Sequence, residues 1–329
     1  MRGLGLGWAA LLSATTSVAA SGPPVAEEAG AIPPSRTTSR VGARTDNQPV
    51  DVLSADVTAS RWISTKIELS AAAEGIVFSA PGERLWGSLG RGSIRARLGT
   101  DDVDLRADIA GRYWSDSASR ALGGGSGELF PRGALRFAAG AMRSEELSTP
   151  ASASLHVFRD TGFLGASLHD WHALGGAARV EATRFSDGNG AWVALGWLAY
   201  TLVNRDVRVD LGYAGAYRDS ARSHWDSSTQ RYYPYTTPLV ALRHGPVVGA
   251  ALSAGKLTAG ATASFALVAS ERDPTTFEFY VSRRDTSFFE LKTHLRLGSD
   301  ENGIEVGYEY LKDGYYTWHT ARLSTHVRL

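Results

Sequence analysis

Apolar and charged side chains alternate along much of the chain, and the stretch VDLRADIAGRYW, Val103–Trp114, shows this pattern clearly. Its odd-numbered positions carry apolar or small residues, whereas its even-numbered positions include Asp104, Arg106, Asp108 and Arg112. Successive side chains of a β-strand point to opposite faces. On a helix the same charges would be scattered around the cylinder, and no apolar stripe would form. The pattern therefore predicts a strand with one apolar face and one ionic face.

The same alternation returns in several other segments, at positions 94–98, 207–213, 289–297, 304–310 and 321–329. Segments of about 10 to 13 residues match a tilted strand that crosses a bilayer, whereas strands of soluble sheets are usually about 5–6 residues long. The pattern gives about 16 such strands, or about 18 if residues 50–61 contribute two, and a single chain closes with an even number. We therefore predict an all-β fold, a transmembrane antiparallel outer-membrane β-barrel of about 16 strands. The alternative is a soluble sandwich with one solvated ionic face.

The predicted connections alternate in length. Short connections are expected near 100–102, 204–206, 244–246, 273–275 and 299–302, and two long polar loops at 115–133 and 219–235. In this count the short connections lie on one side of the sheet and the long loops on the other, as in bacterial barrels. Aromatic residues near strand ends suit interfacial girdles, and the alternative is that they fill a soluble core. They are Trp86, Trp114, Trp171, Trp318, Tyr213, Tyr310, Tyr315 and Tyr316.

The ionic faces are predicted to line the interior of the barrel, the lumen, because lipid offers no partners to an open sheet edge and the sheet must close. The residues predicted to line the lumen are Asp104, Arg106, Asp108, Arg112, Arg208, Asp210, Tyr280, Glu290, Lys292, Arg296, Glu305 and Glu309. The segment 191–203 departs from this pattern, because it is apolar on both faces and would turn Val193, Leu195 and Trp197 inward. Either an inward loop covers these three side chains or the strand is misassigned.

The N-terminal segment predicts export. Residues 1–20 carry Arg2, then an apolar stretch, then small residues suited to cleavage, which is the layout of a secretory signal peptide rather than of a buried N-terminal helix. Residues 21–47 are rich in Pro, Ala, Ser, Thr and Arg and are predicted to be a disordered periplasmic linker. The barrel is expected over 48–329. Beyond the signal peptide no apolar run reaches the length of a transmembrane helix, so we expect an outer-membrane location with lipid around the barrel.

Composition excludes several classes of function. Lys plus Arg and Asp plus Glu are 34 each, a balance that argues against a nucleic-acid partner. The absence of Cys excludes thiolate catalysis, disulfides and Cys-based metal sites. No residue pattern calls for a cofactor.

The candidate catalytic and metal motifs are weak. In HDWH, His169 and His172 are three residues apart, so on a strand they point to opposite faces and do not share a metal ion. An outer-membrane hydrolase would need a Ser–His pair, and spatial pairing cannot be read from one sequence. The GGGSG at 123–127 lacks the Lys of a phosphate loop and is interpreted as a flexible loop tip. We therefore predict no catalytic and no metal site, and a protein that is not an enzyme.

Three segments in the second half of the chain carry a resemblance to a known family. They are RFSDGNG at 184–190, VDLGYAGAYRDS at 209–220 and RYYPYTTPLVAL at 231–242. In this order they resemble part of the outer-membrane barrels that export bacterial exopolysaccharides, such as the cellulose and poly-N-acetylglucosamine secretion barrels. Those exporters carry arrays of roughly 34-residue helical repeats, for which the segment before this barrel is too short. The resemblance thus implies a stand-alone barrel that works with a separate periplasmic polysaccharide export protein.

Together these observations predict passive export of a polysaccharide through a hydrated, charged lumen. Many weak sites allow a chain to slide without being held, and inward aromatics such as Tyr280 would stack on sugar rings. A general or small-solute porin is the main alternative. A structural or adhesive barrel and an outer-membrane hydrolase are the others.

Overall fold

The computed structural model describes residues 33–46, 51–80, 83–99, 102–146, 152, 154–221, 225–226, 231–232, 240–275, 278–285, 287–299, 302–313 and 316–329. Within this part of the chain, no helix has both the length and the apolar character needed to cross a membrane. The predicted signal peptide at 1–20 lies outside the described residues and stays a prediction.

Antiparallel β-strands make up almost all of the described structure. Their bounds are β1 Arg36–Asp46, β2 Asp51–Trp62, β3 Ile67–Ala80, β4 Glu83–Leu98, β5 Val103–Trp114, β6 Ser119–Leu129, β7 Leu135–Glu145, β8 Phe158–Trp171, β9 Leu174–Phe185, β10 Gly190–Asn204, β11 Val207–Ser220, β12 Trp225–Asp226, β13 Arg231–Tyr232, β14 Val240–Ala254, β15 Leu257–Phe265, β16 Val268–Thr275, β17 Glu278–Asp285, β18 Phe288–Gly298, β19 Gly303–Asp313 and β20 Tyr316–Arg328.

The sheet closes on itself because β1 pairs with β20 along its whole length, from Arg36 opposite Arg328 to Asp46 opposite Trp318. Two strands of the wall are interrupted. β15 and β16 together form one of them, and β17 and β18 together form the other. The single strand β14 pairs with β15 over one half and with β16 over the other, and β18 pairs with β15. The small hairpin β12–β13 is separate. The fold is a closed antiparallel barrel of 16 strands, which confirms the predicted fold class and number.

The strand β1 corrects the predicted domain boundary, because it lies inside the range 21–47 that was expected to be a disordered linker. The barrel begins at Arg36 and not at 48. The sequence RTTSRVGARTD shows little apolar alternation, but its backbone forms continuous ladders with β2 on one edge and β20 on the other. Backbone pairing on both edges is what a closed sheet requires at this position.

Three of the predicted short connections, those near 100–102, 204–206 and 299–302, join strands at the same end of the barrel. The other two are wrong. The predicted turn at 244–246 lies inside β14, and the segment 273–275 ends β16 at the opposite end. The longest connection is 221–239, close to the long loop predicted at 219–235, and a second one that was not predicted spans 146–157. Both lie at the end opposite 205–206, which we call the upper rim; the end that holds 205–206 is the lower rim.

The predicted long loop at 115–133 is also wrong, because it contains the strand β6. Its glycines suggested a flexible tip, but they form a ladder with β5 and β7. Gly123 has a φ of +145°, and a Cβ there would clash with the backbone oxygen of Asp108. These glycines allow close packing of neighbouring strands and do not form a loop.

Exposure alternates along the strands and separates the two faces of the wall. The outward face exposes large apolar side chains, such as Ile109 at 72% and Leu164 at 68%. The inward face of the same sheet buries charged residues, including Asp104 at 3%. An apolar exterior around a polar interior is the pattern of outer-membrane barrels.

The aromatic residues predicted as girdles divide between the two faces. Trp86 and Trp171 are exposed near opposite rims, whereas Trp114 is fully buried on the inward face and Trp318 packs against an interior cluster. Tyr213 and Tyr310 take part in outward ring contacts. Tyr315 and the side chain of Tyr316 lie outside the described part of the structure.

Candidate transport path through the barrel

The even-numbered charges of β5 lie on the inward face and are neutralised by neighbouring strands. Asp104 accepts a hydrogen bond of 2.7 Å from Nε of Arg95 on β4, and Arg106 lies 3.7 Å from the same carboxylate. Arg95 also lies 3.7 Å from Glu68 on β3. Arg106 itself is 58% exposed on its side chain, so this row keeps an exposed charge inside the barrel.

Arg112 forms the most buried ion-pair network on this side. Its guanidinium lies 2.7 Å from Glu74 on β3 and 2.5 Å from Glu145 on β7. Trp114 donates an indole N–H to Glu145 over 2.7 Å. These side chains reach across the curved inner surface and tie β3, β5 and β7 together near the upper rim.

A second ionic group lines the opposite wall, around a cavity of about 460 Å³. Glu290 and Lys292 on β18 are paired at 3.2 Å, and both are largely buried. Glu309 on β19 faces Arg322 on β20 at 4.0 Å. The cavity is also lined by Arg40, Asp56, His294, Glu305 and His326. Opposite charges are interspersed here, so the wall is polar without a single dominant sign.

The predicted lumen residues therefore occupy several separate places on the inner wall. Arg208 pairs with Asp210 at 2.9 Å and lies 3.6 Å from Asp170, near the lower end of β11. Asp108 is exposed on β5, and Arg296 alternates with the exposed Leu295 and Leu297 on β18. Tyr280 lies on β17, and its side chain is outside the described part of the structure. The residues do not converge on one site, and their contact with a polymer remains a prediction.

Neighbouring strands of the barrel share an apolar patch on the inner surface, which we call the apolar wall. Val193 and Leu195 of β10 are buried on the inward face and pack against Trp197 and Ala216. The strand assignment of 191–203 is thus correct, and these side chains cover one another. The cluster continues through Ala214, Val247, Ala269, Phe288 and Leu311, with Trp318 against it. The inner surface therefore combines charged and apolar groups, and buried Phe288 and Glu290 lie two residues apart on the same strand.

Sequence reasoning missed most of this apolar wall, because the residues come from β10, β11, β14, β16, β18, β19 and β20. The sequence contained one sign of the apolar wall, because the inward-facing alternate positions of 191–203 carry no charged residue. Which distant apolar residues join that strand is decided by the closed topology.

The structure also bears on the hydrolase alternative. Asp116, in the turn after β5, accepts a hydrogen bond of 2.6 Å from Nε2 of His156. This bond and a backbone N–H from Ala118 hold the pKa of Asp116 below its usual value. The other ring nitrogen, Nδ1, is buried without a hydrogen-bond partner among the described residues. The pair therefore has an acid and a base but no positioned hydroxyl nucleophile in the described structure.

No group of three His, Asp or Glu side chains in the described part of the chain is arranged to hold a metal ion. His169 lies near the lower end of β8. Asp170, His172 and Ala173, which follow it, have positive φ angles. This strained turn connects β8 with β9.

Comparisons with known proteins show similarity in fold. No family model and no curated protein matches the sequence. A solved structure described as a bacterial polysaccharide outer membrane secretin is similar with a TM-score of 0.68 and 12% identity, over 89% of this chain and 98% of that chain. CdiB from Acinetobacter baumannii gives 0.49 and 8%, over 89% and 60% of the two chains. OccK3 from Pseudomonas aeruginosa gives 0.47 and 11%, over 90% and 95%. The chain thus has the fold of outer-membrane barrels.

Proposed function

We propose that this protein is an outer-membrane channel that exports a polysaccharide from the periplasm to the cell surface by passive conduction. The observation that carries the proposal is the mixed inner surface, in which paired charges lie beside the apolar wall around Trp197. The similarity in fold, over 89% of this chain, to a barrel described as a polysaccharide secretin supports it.

The paired charges and the apolar wall have different roles in this proposal. The paired charges keep water in the lumen and offer many weak hydrogen-bonding sites, so a sugar chain is never held at one place. The apolar wall offers the partly buried Trp197 and Trp318 to the apolar faces of sugar rings. A long chain then moves by exchanging equivalent weak contacts. A separate periplasmic polysaccharide export protein is the proposed partner at the lower rim.

A porin for small solutes is the second candidate, because the hydrated cavity beside Glu290, Lys292 and Glu309 would serve small solutes equally well. The two candidates differ in what occupies the lumen. A polymer channel binds an oligosaccharide along its length, whereas a porin conducts small ions and solutes past it.

Current block in planar bilayers separates the candidates. We expect long oligosaccharides to interrupt the ion current of the purified barrel, with residence times that rise with chain length. Trp197→Ala should shorten the blocks, whereas the outward Trp86→Ala should not change them. A large steady conductance that no oligosaccharide interrupts would favour the porin.

A further inference from the structure

Four arginines gather on the inner wall near the upper rim, from strands that lie close together in the barrel. Arg159 lies two residues into β8, Arg179 lies on β9, Arg218 lies near the upper end of β11 and Arg243 lies on β14. Arg218 interacts electrostatically with Arg159 and Arg243, and with the carboxylates Glu146 and Glu181. The group is therefore a cationic cluster at the upper end of the lumen.

The two carboxylates in this group are already engaged. Glu146 lies 3.3 Å from Arg159, and Glu181 lies 2.6 Å from Arg179. Arg179 is further fixed by stacking over Phe163 at 3.9 Å, and Arg243 lies over Phe288 at 5.6 Å. Arg159 and Arg179 are thus paired with carboxylates, and aromatic rings contact Arg179 and Arg243.

Arg218 is the residue that lacks compensation. No carboxylate of the described structure lies within ion-pair distance of it, and its Nε is buried without a hydrogen-bond partner. Leaving a charged donor unsatisfied and beside like charges is costly. A planar guanidinium fork matches a carboxylate or a similar oxyanion, so an anionic ligand relieves both costs.

We propose that Arg218, with Arg159 and Arg243, binds the anionic groups of an acidic polysaccharide, a polymer that carries carboxylates along its chain. This assignment rests on the proposed export function and names its substrate class. The partly buried Trp197, which packs on Val193 and Leu195, contacts the sugar rings while the arginines pair with the carboxylates. The net charge of the whole chain does not indicate this cationic cluster, because carboxylates elsewhere, such as Asp102 and Asp206 in the connections, balance the charge of the arginines.

The test is calorimetric titration of the purified full-length barrel with hexagalacturonate, with maltohexaose as the neutral match and inorganic phosphate as a small anion. We expect hexagalacturonate to bind, maltohexaose to bind at least about tenfold more weakly, and added salt to weaken binding, because screening reduces charge interactions. Arg218→Gln should raise the Kd for hexagalacturonate about tenfold. Arg84→Gln, an exposed arginine on the outward face of β4, should leave the Kd unchanged.

A structural role for Arg218 is distinguished by stability. Removing one charge from a like-charge cluster should keep or raise the thermal midpoint of the barrel, whereas loss of a structural contact would lower it. Equal binding by wild type and R218Q, or equal binding of the neutral and acidic hexasaccharides, would overturn the proposal. So would phosphate binding as tight as that of hexagalacturonate. If only maltohexaose binds and blocks the current, the export function stands and the acidic substrate class is rejected.

Discussion

At the scale of single residues, the inward charges differ sharply in how much stability they carry. Arg112 is 5% exposed on its side chain and lies between Glu74 and Glu145, and Glu145 is itself only 3% exposed. Arg143 and Asp160 form a pair of 2.7 Å on the outward face with side chains about half exposed, 47% and 45%. A buried pair that loses one partner leaves a desolvated charge, whereas an exposed pair loses little.

We therefore expect Arg112→Met to destabilise the barrel by about 3–5 kcal/mol, and Arg143→Gln to leave its stability nearly unchanged. Urea unfolding of the purified barrel in detergent measures both changes. Adding Glu145→Gln to Arg112→Met should recover part of the loss, because the orphaned charge is removed. Equal effects of the two single variants would show that Glu145 is solvated and that the network is not buried.

Position 123 of β6 requires a glycine because the backbone of the neighbouring strand β5 approaches it closely. Gly123→Ala places a Cβ against the backbone oxygen of Asp108 at a φ of +145°, so we expect a loss of at least about 2 kcal/mol. Gly111→Ala on the adjacent β5 is the matched control, because nothing lies within 4 Å of its Cβ. Thermal unfolding of both variants tests this. A normal thermal midpoint for Gly123→Ala would mean that β6 is a loop, as its sequence suggested.

At the scale of elements, the contact between Asp116 and His156 links the turn after β5 to the segment before β8. The depressed pKa of Asp116 means that this contact stabilises the fold at pH values above the pKa of the unfolded carboxyl, about 4. The stabilisation is lost as the pH falls through the lower pKa of the folded state. Trp114 packs on the His156 ring with 5.8 Å between ring centroids, so it lies next to the contact.

We expect hydrogen exchange in the peptide 112–118, corrected for the intrinsic pH dependence, to increase at acid pH below about 4. Asp116→Asn should abolish that transition and leave the exchange of β18 peptides unchanged. A transition that persists in the variant would assign it to another group.

Strand β1 is the element that closes the barrel. Deleting 36–46 removes the partner of both β2 and β20 and leaves two open edges, which lipid does not tolerate. We expect no folded barrel in that variant, as measured by circular dichroism and protease resistance. Deletion of 21–32 is the control and should fold normally. A folded barrel without 36–46 would show that β2 and β20 can pair directly.

The element scale also shows what the sequence could and could not predict. Alternation over Val103–Trp114 was sufficient for β5, because period-two patterning reports directly which face meets lipid. It failed for β1, where backbone pairing decides the structure, and for β6, where glycine resembles a turn signal. The arginine cluster was beyond reach, because Arg218 and Arg243 meet only after the connection 221–239 brings β11 beside β14.

At the scale of the whole molecule, the chain has no net charge, but its exterior and its interior differ in polarity. The exterior of the wall is apolar, and the interior combines ion pairs with an apolar, aromatic patch. This arrangement suits a polymer that slides between weak polar contacts and ring-packing surfaces. The proposal requires that a polysaccharide pass through this particular barrel in the cell.

The most direct test compares polysaccharide outside the cell with polysaccharide retained in the periplasm, in a strain that lacks the gene and in the same strain with the gene restored. We predict loss outside and accumulation inside, with unchanged membrane integrity and recovery on restoration. Unchanged secretion in the deletion strain would contradict the account and leave the porin as the function of the barrel.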